Sequence, residues 1–447
     1  MLAPFKIEQD NSVLTSHSGL ALVGALLGKT GLRHDLDKYD AESDRCPDIP
    51  TFDIISSMTG LICLGKPDYD AVEPSREDPF FKRALELQSC PSSPTLRQRI
   101  DGLESCVHEI ILENSAQLVG SMAPVITPIK TSAGDFAPLD LDVSPHDNSG
   151  SKKEGVSWTY KKCDGYAPMY AYLGQEGYMV NNELRKGKQH CQKGTPYFLD
   201  KSIGYSTRIT SLPLLVRMDS GNDSIDNREV CRSHGVDFII KRNHRKESPE
   251  KWLEKAQKEG WVAIANERKT VWVGKTYSWL SGETADCPIV FKVTERKQKK
   301  GQLLAIPEIK AESYWVSKRL QPSEVIELYH DHGTSEQFHS EIKTDLDLER
   351  LPSGKFASNA IILHLGMLTY NILRLCGQES LRYDNGNIDK IPSYRKKVKR
   401  RRIRSVMLDL IYMAGKIVNR SRQIRIVFSR INPWAGLWRN LYAAFAY

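Results

Sequence analysis

Acidic residues that could bind a metal ion alternate with apolar residues in one segment of the chain. Apolar side chains at positions 139, 141 and 143 flank Asp140 and Asp142. Side chains of a β-strand point alternately to its two faces, so the two carboxylates are expected to share one face. Two carboxylates on one face of an apolar strand are costly unless a cation meets them. The pattern therefore predicts a metal ion beside this strand.

A further acid follows a second apolar segment. Leu212–Met218 is a short, nearly continuous apolar run, which indicates a buried strand, and Asp219 comes directly after it. In open α/β sheets, ligand sites lie at the carboxyl ends of the strands. We therefore expect Asp219 to contribute to a site, ahead of Asp147 and Asp223, which are predicted to lie in loops.

A third acid is expected in the first turn of a helix. Thr334 begins an S/T-x-x-E/Q capping box, which predicts a helix start there. Gly333 is expected to end the preceding helix, residues 323–332, because glycine adopts a positive φ at low cost. Glu336 and Lys343 are separated by about two helical turns, so they are predicted to share a face. On these residues alone, that face is also typical of a solvated surface of mixed charge.

The spacing of Tyr329, Glu336 and Lys343 resembles the Y-R-E-K signature of DDE transposases encoded by bacterial insertion sequences. His332 stands where that family usually has Arg. Five further segments follow the order in which the catalytic domain of that family has them. They are Asp140–Ser144, Tyr166–Pro168, Leu184–Gly187, Val216–Gly221 and Ile240–Asn243.

The resemblance, which covers residues 136–377, implies a ribonuclease-H-like sheet whose catalytic and metal-binding residues are Asp142, Asp219 and Glu336. Asp142 is preferred because Asp142-Val-Ser resembles the Asp-x-Thr/Ser of the family, and Asp140 remains the alternative.

Two acids near Glu336, Asp331 and Glu341, compete with it, although Glu341 is five residues on and points off that face. The resemblance also implies that Tyr329, the Arg position held here by His332, and Lys343 contact DNA phosphates.

Phosphodiester cleavage builds negative charge on the entering and leaving oxygens. Two divalent cations, Mg²⁺ or Mn²⁺, stabilise both oxygens in an in-line displacement. Such hard cations take oxygen ligands, which three carboxylates from different elements would supply. The predicted protein is a transposase that binds terminal inverted repeats, cleaves DNA there and joins the ends to target DNA. Its predicted partners are double-stranded DNA and further copies of itself in a synaptic complex.

Two other functions stay open for the same residues. One is a catalytically silent, transposase-derived DNA-binding protein or repressor, against which the presence of all three acids speaks. The other is a ribonuclease-H-like metal nuclease that hydrolyses DNA without strand transfer.

The elements around these residues predict an α/β chain in three parts. Residues 1–134 are expected to form a helical DNA-binding domain, and residues 135–355 the catalytic domain. Asp219 and Glu336 are too far apart in sequence for a loop in a compact domain, so a separate β-rich subdomain is predicted at about residues 222–320. Residues 356–447 are expected to form a helical, basic region.

The amino-terminal segment carries apolar patterns with helical periodicity. They run over Gly19–Leu32, Thr51–Gly65, Pro79–Leu87 and Pro94–Val119. Ser93 is predicted to cap the last of these helices, and Pro94 suits its first position. Arginines in the first turns indicate a helix-turn-helix reader of DNA, and an ordinary helical bundle is equally consistent with the pattern.

Charge is concentrated at the carboxyl end of the chain. The net charge is +8, and residues 390–447 contain 15 Lys or Arg but one acid, Asp409. A basic end on a mildly acidic body indicates a polyanionic partner, nucleic acid before membrane. Eight basic residues in one run are predicted to contact phosphate, the alternative being a solvated charge run. They are Arg395, Lys396, Lys397, Lys399, Arg400, Arg401, Arg402 and Arg404.

Cysteine usage and apolar segments indicate the compartment. The nine cysteines are scattered and form no C-x2-C pair, which predicts reduced thiols and no zinc knuckle. No secretory signal is recognised at the start. Asn359–Cys376 contains polar residues and is predicted to be a buried helix, not a membrane span. We expect a cytoplasmic, nucleoid-associated bacterial protein.

Overall fold

The computed structural model describes residues 5–9, 11–42, 47–245, 247–280, 284–299, 302–317, 320–384, 398–420 and 423–446. Its contacts form two compact units, one of residues 1–118 with 341–447 and one of residues 119–340. The two ends of the chain therefore belong to one unit, where the sequence predicted separate segments 1–134 and 356–447.

Among the described residues, helices predominate before residue 122 and after residue 320, and most strands lie between these positions. The helices are α1 (Leu20–Leu27), α2 (Leu32–Glu42), α3 (Thr51–Cys63), α4 (Pro79–Ala84), α5 (Ser93–Asp101), α6 (Ser105–Ser121), α7 (Thr195–Ile209), α8 (Ile225–Ser233), α9 (Pro249–Glu259), α10 (Pro322–Asp331), α11 (Ser335–Ser340), α12 (Phe356–Asp384), α13 (Ile403–Val406) and α14 (Ala435–Ala446). The strands are β1 (Val13–Thr15), β2 (Ile129–Thr131), β3 (Gly134–Val143), β4 (His146–Asp147), β5 (Ser157–Trp158), β6 (Asp164–Tyr166), β7 (Met169–Leu173), β8 (Tyr178–Glu183), β9 (Leu214–Met218), β10 (Asp237–Lys241), β11 (Trp261–Ala265), β12 (Lys269–Ser278), β13 (Thr284–Lys299), β14 (Gln302–Val316), β15 (Gly415–Arg420) and β16 (Gln423–Val427).

Helix α12 lies at the centre of the unit formed by the chain ends. It is long and apolar enough to cross a membrane by length and composition, and 94% of its most apolar stretch is buried inside the structure. A core helix of this kind needs apolar partners on all sides, and α3, which is buried over its whole length, packs against it. This requirement explains why segments from both ends of the chain share one unit.

The predicted helix Pro94–Val119 is divided in two. Helix α5 ends where Gly102 N–H donates to the carbonyl of Arg99, at 3.1 Å, and α6 begins three residues later. The cap prediction for Ser93 is wrong by one residue, because Ser92 Oγ accepts from Thr95 N–H at 3.4 Å.

The second unit is built on one large mixed sheet with the strand order β11-β12-β13-β14-β10-β9-β3-β7-β8. Strand β9 runs parallel to both β3 and β10, whereas β7 and β8 continue antiparallel from the other side of β3. The parallel pair ends with Leu141 opposite Met218. Both β7 and β9 are fully buried, as expected from the mostly apolar sequences of these strands.

The β-rich region extends this same sheet and is not a sheet of its own. Strand β14 pairs antiparallel with β10, placing Ile240 opposite Trp315, and β13, β12 and β11 follow as hairpins. A shared apolar cluster that includes Phe136, Leu215 and Val290 joins the region to the central strands. The predicted boundaries of 222–320 also include β10, which belongs to the central part of the sheet.

The chain passes from α10 to α11 without a left-handed residue. A single 3-10 turn, His332–Thr334, connects them, and Gly333 does not have a positive φ, so the predicted closure at Gly333 is wrong. The second helix begins at Ser335, one residue later than predicted. A wider π-helical turn, Glu341–Asp345, follows α11, so the regular helical spacing that predicted a shared face for Glu336 and Lys343 ends at Ser340.

Acid should weaken the helical unit through His364 of α12. Burial, followed by the nearby His108, lowers the pKa of His364 to about 3. An unfolded histidine titrates near pH 6.5, so the unfolded chain binds more protons between about pH 3 and 6.5. The free energy of unfolding should therefore fall as pH falls below 6.5, reaching a loss of about 2 kcal/mol at pH 5.

Urea unfolding at pH 7.5 and 5.0 measures this loss. The variant His364→Leu should lose less stability on acidification than the wild type, because it has no imidazole to charge. The exposed His34 gives a matched control, His34→Leu, which should keep the wild-type dependence. Equal pH dependence in His364→Leu and wild type would contradict the prediction.

Candidate active site

Asp142 and Asp219 lie side by side at the ends of two parallel strands. Leu141 of β3 is opposite Met218 of β9, and each acid is the next residue on its strand. Neighbouring strands are about 4.8 Å apart, so the two acids follow at neighbouring positions. The structure therefore brings together two of the three carboxylates that the sequence singled out.

Burial and mutual repulsion disfavour the ionised form of Asp142. Burial raises its pKa to about 6, and the charge of Asp219 adds to this, while His332 opposes it. One oxygen of Asp142 accepts from the N–H of Val143 at 2.8 Å. Two adjacent carboxylates repel each other when both are ionised. A cation between them would offset this electrostatic repulsion.

Hydrogen bonds from its own turn hold the Asp219 carboxylate. Its Oδ1 accepts from Gly221 N–H at 3.1 Å and from Asn222 Nδ2 at 2.7 Å. This arrangement fixes the side chain at the end of β9, and we expect the other oxygen to be the one available to a ligand.

Helix α11 runs past Asp142 and carries the third acid. His339 Nδ1 lies 3.8 Å from Asp142 Oδ2, and Glu336 is three residues earlier, on the same side of the helix. The helix is anchored by Phe338, whose ring lies over Gly177; any Cβ at residue 177 would come within 2.2 Å of that ring. A glycine is therefore required where the ring sits.

The three acids are not gathered into one metal-ready group. Among the described residues, no three His, Cys, Asp or Glu side chains form a group that could hold an ion. Asp142 and Asp219 are adjacent, whereas Glu336 has an exposed side chain one turn from the histidine that contacts Asp142. The set of Asp142, Asp219 and Glu336 as metal ligands stays a prediction.

Asp140, the alternative ligand, is already neutralised. Its two oxygens accept from Arg217 Nε and Nη2, each at 2.6 Å, and His332 Nδ1 lies 3.0 Å from Oδ1. Burial raises its pKa, but the charges of Arg217 and His332 outweigh this and leave the pKa lowered. The geometry favours Asp142 over Asp140 as a ligand.

His332 lies inside the protein, beside a carboxylate. Its side chain is 7% exposed and its neighbour is the carboxylate of Asp140. Burial lowers its pKa and Asp140 raises it, with a raised pKa as the result. In the structure, His332 contacts a carboxylate inside the protein, and its contact with DNA stays a prediction.

The other two residues of the signature differ in their surroundings. Tyr329 is half-buried and packs on Tyr314, with ring centroids 4.8 Å apart, so it contributes to the core of the sheet. Lys343 lies partly exposed in the π-helical turn of the helical unit. Their contacts with DNA stay a prediction.

The competing acid Glu341 is part of the helical core. It is buried and forms an ion pair with Arg374, and it also accepts from Tyr370 Oη at 3.2 Å and from Ile403 N–H at 3.2 Å. These partners leave it no role as a metal ligand. Asp331 is exposed at the end of α10.

Two arginines of the basic run pair with acids of the protein itself. Arg401 is buried, pairs with Asp409 and lies 5.0 Å from the ring of Trp434. Arg402 forms two hydrogen bonds with Asp345, at 2.8 and 2.9 Å. Acids of the protein therefore neutralise both arginines. Arg401 is buried, whereas the Arg402 side chain is 52% exposed and its contact with phosphate stays a prediction.

The remaining members of the run keep their prediction. Lys399 and Arg404 are exposed and Arg400 is partly exposed. Arg395, Lys396 and Lys397 lie outside the described residues.

Sequence reasoning missed two neighbours of the acids. Tyr160 donates to the carbonyl of Val143, the residue after Asp142, at 2.8 Å. His339 follows Glu336 at helical spacing, a signal that was present in the sequence. No pattern in the loop sequence around Tyr160 predicts that it lies next to the acids.

Comparison with known proteins identifies a family that matches nearly the whole chain. A family model described as transposase DDE domain group 1 matches residues 3–446. No curated protein matches the chain. A cryo-EM structure of a piggyBac transposase synaptic complex with hairpin DNA has 11% sequence identity to it and a TM-score of 0.40. That likeness covers 89% of this chain and 78% of the other.

Replacing Arg401 should destabilise the protein, whereas replacing Arg404 should not. Arg401→Ala leaves the partly buried Asp409 without its cation, at a cost of about 3 kcal/mol. Arg404→Ala removes an exposed side chain from the same segment and should change stability by less than about 0.5 kcal/mol. Urea unfolding of the two variants makes the comparison. Equally small changes in both would return Arg401 to the surface role that the sequence predicted.

Proposed function

The chain belongs to the transposase DDE domain group 1 family, and we propose that it cleaves DNA at the ends of an insertion sequence and joins them to target DNA. The observation that carries this proposal is the placement of Asp142 and Asp219 at adjacent ends of two parallel strands. Helix α11, which carries Glu336, approaches Asp142 through His339. Three carboxylates from two strands and a helix are the donor set that metal-dependent phosphoryl transfer needs.

The fold we propose for the catalytic unit is ribonuclease-H-like. The strand order β8-β7-β3-β9-β10 supports it, with the first three strands antiparallel and the last two parallel to β3. In that arrangement the first acid lies on the central strand and the second at the end of the next one. The positions of Asp142 and Asp219 fit this description.

Mg²⁺ or Mn²⁺ would be held by Asp142, Asp219 and Glu336. The fit rests on the raised pKa of Asp142, about 6, and on the adjacent Asp219, because a divalent cation would favour the ionised form of both. When bound, the ions stabilise charge on the entering and leaving oxygens of the phosphodiester. Asp219 is pre-positioned for this by the N–H of Gly221 and the amide of Asn222.

Double-stranded DNA is the proposed partner, both as terminal inverted repeats and as target. Exposed cations of the carboxyl-terminal segment, among them Lys399 and Arg404, would neutralise phosphates and supply affinity that does not depend on sequence. Pairing of two ends requires more than one copy of the chain in a synaptic complex. The proposed setting is the bacterial cytoplasm, at the nucleoid.

A nuclease without strand transfer would use the same acids, and a repressor would not need them. Strand-transfer products and simple hydrolysis products differ in length on a denaturing gel. A cleavage assay that includes target DNA therefore separates the three functions.

Replacing any of the three acids should abolish strand cleavage and leave binding to DNA ends nearly intact. The reason is that each variant, Asp142→Ala, Asp219→Ala or Glu336→Ala, removes a carboxylate that holds the ions, while the phosphate contacts remain. The assay is cleavage of a labelled transposon end with Mg²⁺ or Mn²⁺, with binding measured on the same DNA.

Glu341→Gln is a useful comparison, since it also removes an acid close in sequence to Glu336, but one that is buried against Arg374. Cleavage by its folded fraction should persist. Substantial cleavage by Asp219→Ala or Glu336→Ala would refute the proposed function.

Removing exposed cations should weaken binding to transposon ends and to unrelated DNA equally. The double variant Lys399→Ala/Arg404→Ala should also flatten the dependence of log K on log salt, by about 0.9 for each phosphate that is no longer neutralised. The matched control is Arg296→Ala, which removes an exposed arginine outside the basic run, paired with Glu308 at 3.9 Å, and should leave the slope unchanged. Fluorescence anisotropy at several salt concentrations gives the slopes. An unchanged slope in the double variant would identify these residues as a solvated charged surface.

A further inference from the structure

Three buried polar side chains meet below the pair of acids. Asp140 of β3 accepts two hydrogen bonds from Arg217 of β9, each at 2.6 Å, and His332 approaches the same carboxylate at 3.0 Å. Arg217 also donates from Nη1 to the carbonyl of Leu328 in α10, at 2.6 Å. Side-chain exposure is 3% for Asp140, 4% for Arg217 and 7% for His332. This Arg217–Asp140–His332 cluster joins two strands and a helix in the interior.

Each member of the cluster is close in sequence to one of the acids assigned above. Asp142 is two residues after Asp140, and Asp219 is two residues after Arg217. In a strand, residues two apart point to the same face. Since Asp140 and Arg217 pair with each other, Asp142 and Asp219 are placed on the face that the cluster occupies.

The third acid is related to the cluster through the helical segment. Glu336 follows His332 by four residues, about one turn, with the 3-10 turn and the start of α11 between them. The bond from Arg217 to Leu328 fixes the last turns of α10, and His332 fixes the point where the next turn begins. The orientation of α11 over the strand ends therefore depends on the same carboxylate.

The buried carboxylate of Asp140 favours one register between β3 and β9. The Asp140 side chain is 3% exposed, and a buried carboxyl group without hydrogen-bond partners is very costly. The strand register that places Asp140 opposite Arg217 is therefore the one that satisfies its charge. A shift of β9 by one residue would turn Arg217 to the other face of the sheet and would move Asp219 with it.

We propose that the Arg217–Asp140–His332 cluster positions Asp142, Asp219 and Glu336 for metal binding and cleavage. The proposal rests on the function proposed above and extends it to residues that touch neither metal nor DNA. His332 is thus a positioning residue, which accounts for a histidine in the interior at this point of the chain. Partners behind metal ligands commonly change metal affinity or activity by about 10- to 100-fold when they are replaced.

The test compares His332→Ala with His332→Gln, which keeps a side-chain donor for Asp140. Each folded variant is assayed for cleavage of a transposon end over a range of Mn²⁺ concentrations, for end binding, and for direct Mn²⁺ binding by electron paramagnetic resonance. His332→Ala should need about 10-fold more Mn²⁺ for half-maximal cleavage and should bind Mn²⁺ correspondingly more weakly, with unchanged end binding. His332→Gln should recover most of both losses.

A second buried ion pair in the same unit supplies the control for simple destabilisation. Glu247 accepts from Arg242 at 2.8 Å and from Trp252 at 2.8 Å, so Glu247→Gln disturbs a buried arginine that is not part of the cluster. Its folded fraction should show the wild-type Mn²⁺ dependence. If Glu247→Gln shifts that dependence as much as His332→Ala, the effect is general loosening and the proposal is overturned.

Two further outcomes separate this proposal from the proposed function. Loss of cleavage in Asp219→Ala together with a wild-type Mn²⁺ dependence in His332→Ala would overturn the positioning role and keep the function. Cleavage that survives in Asp219→Ala and Glu336→Ala would overturn both.

Discussion

The buried carboxylate of Asp140 needs hydrogen-bond donors or cations around it, and the central sheet must supply them. Its charge is out of contact with water, and such a charge is tolerated in a protein only when cations or donors surround it. Arg217, on the adjacent parallel strand, makes a bidentate contact with this carboxylate. His332, in the segment between two helices, contacts it as well. The pairing of β3 with β9, the end of α10 and the start of α11 are linked through this one group, and the neighbouring acids take their positions from it.

Local patterns predicted the elements of the sheet, but long-range pairing decided the roles of the acids. Alternation along β3 predicted a strand with Asp140 and Asp142 on one face, and the apolar run before Asp219 predicted a buried strand with an acid at its end. The choice between Asp140 and Asp142 could not be made from the strand itself. That choice depends on Arg217, which is 77 residues from Asp140 in sequence and comes into contact with it only when the sheet forms. The same limit applies to the strands around Trp315, whose type was predictable and whose sheet was not.

Long-range contacts also limit what can be predicted from a run of like charges. The segment around Arg401 and Arg402 contains no acid of its own, so the sequence predicts a basic surface that binds a polyanion. Asp345 comes from 57 residues earlier and Asp409 from the following helical turn, and both neutralise arginines within the helical unit. Gly333 shows the opposite case, in which a residue free to adopt a positive φ continues a right-handed path because neighbouring helices are already fixed by packing.

Asp140 and Asp142 are the same residue type, on the same face of the same strand, yet their pKa values move in opposite directions. The first is lowered by Arg217 and His332 despite burial, whereas the second is raised to about 6 by burial with Asp219 beside it. A protein that pairs one carboxylate with an arginine and places its neighbour beside a second acid carries a cost that packing alone does not explain, and such costs are typical of functional sites. Asp142 is the acid that a divalent cation would stabilise. The difference between the two aspartates is therefore the physical argument for placing the metal at Asp142.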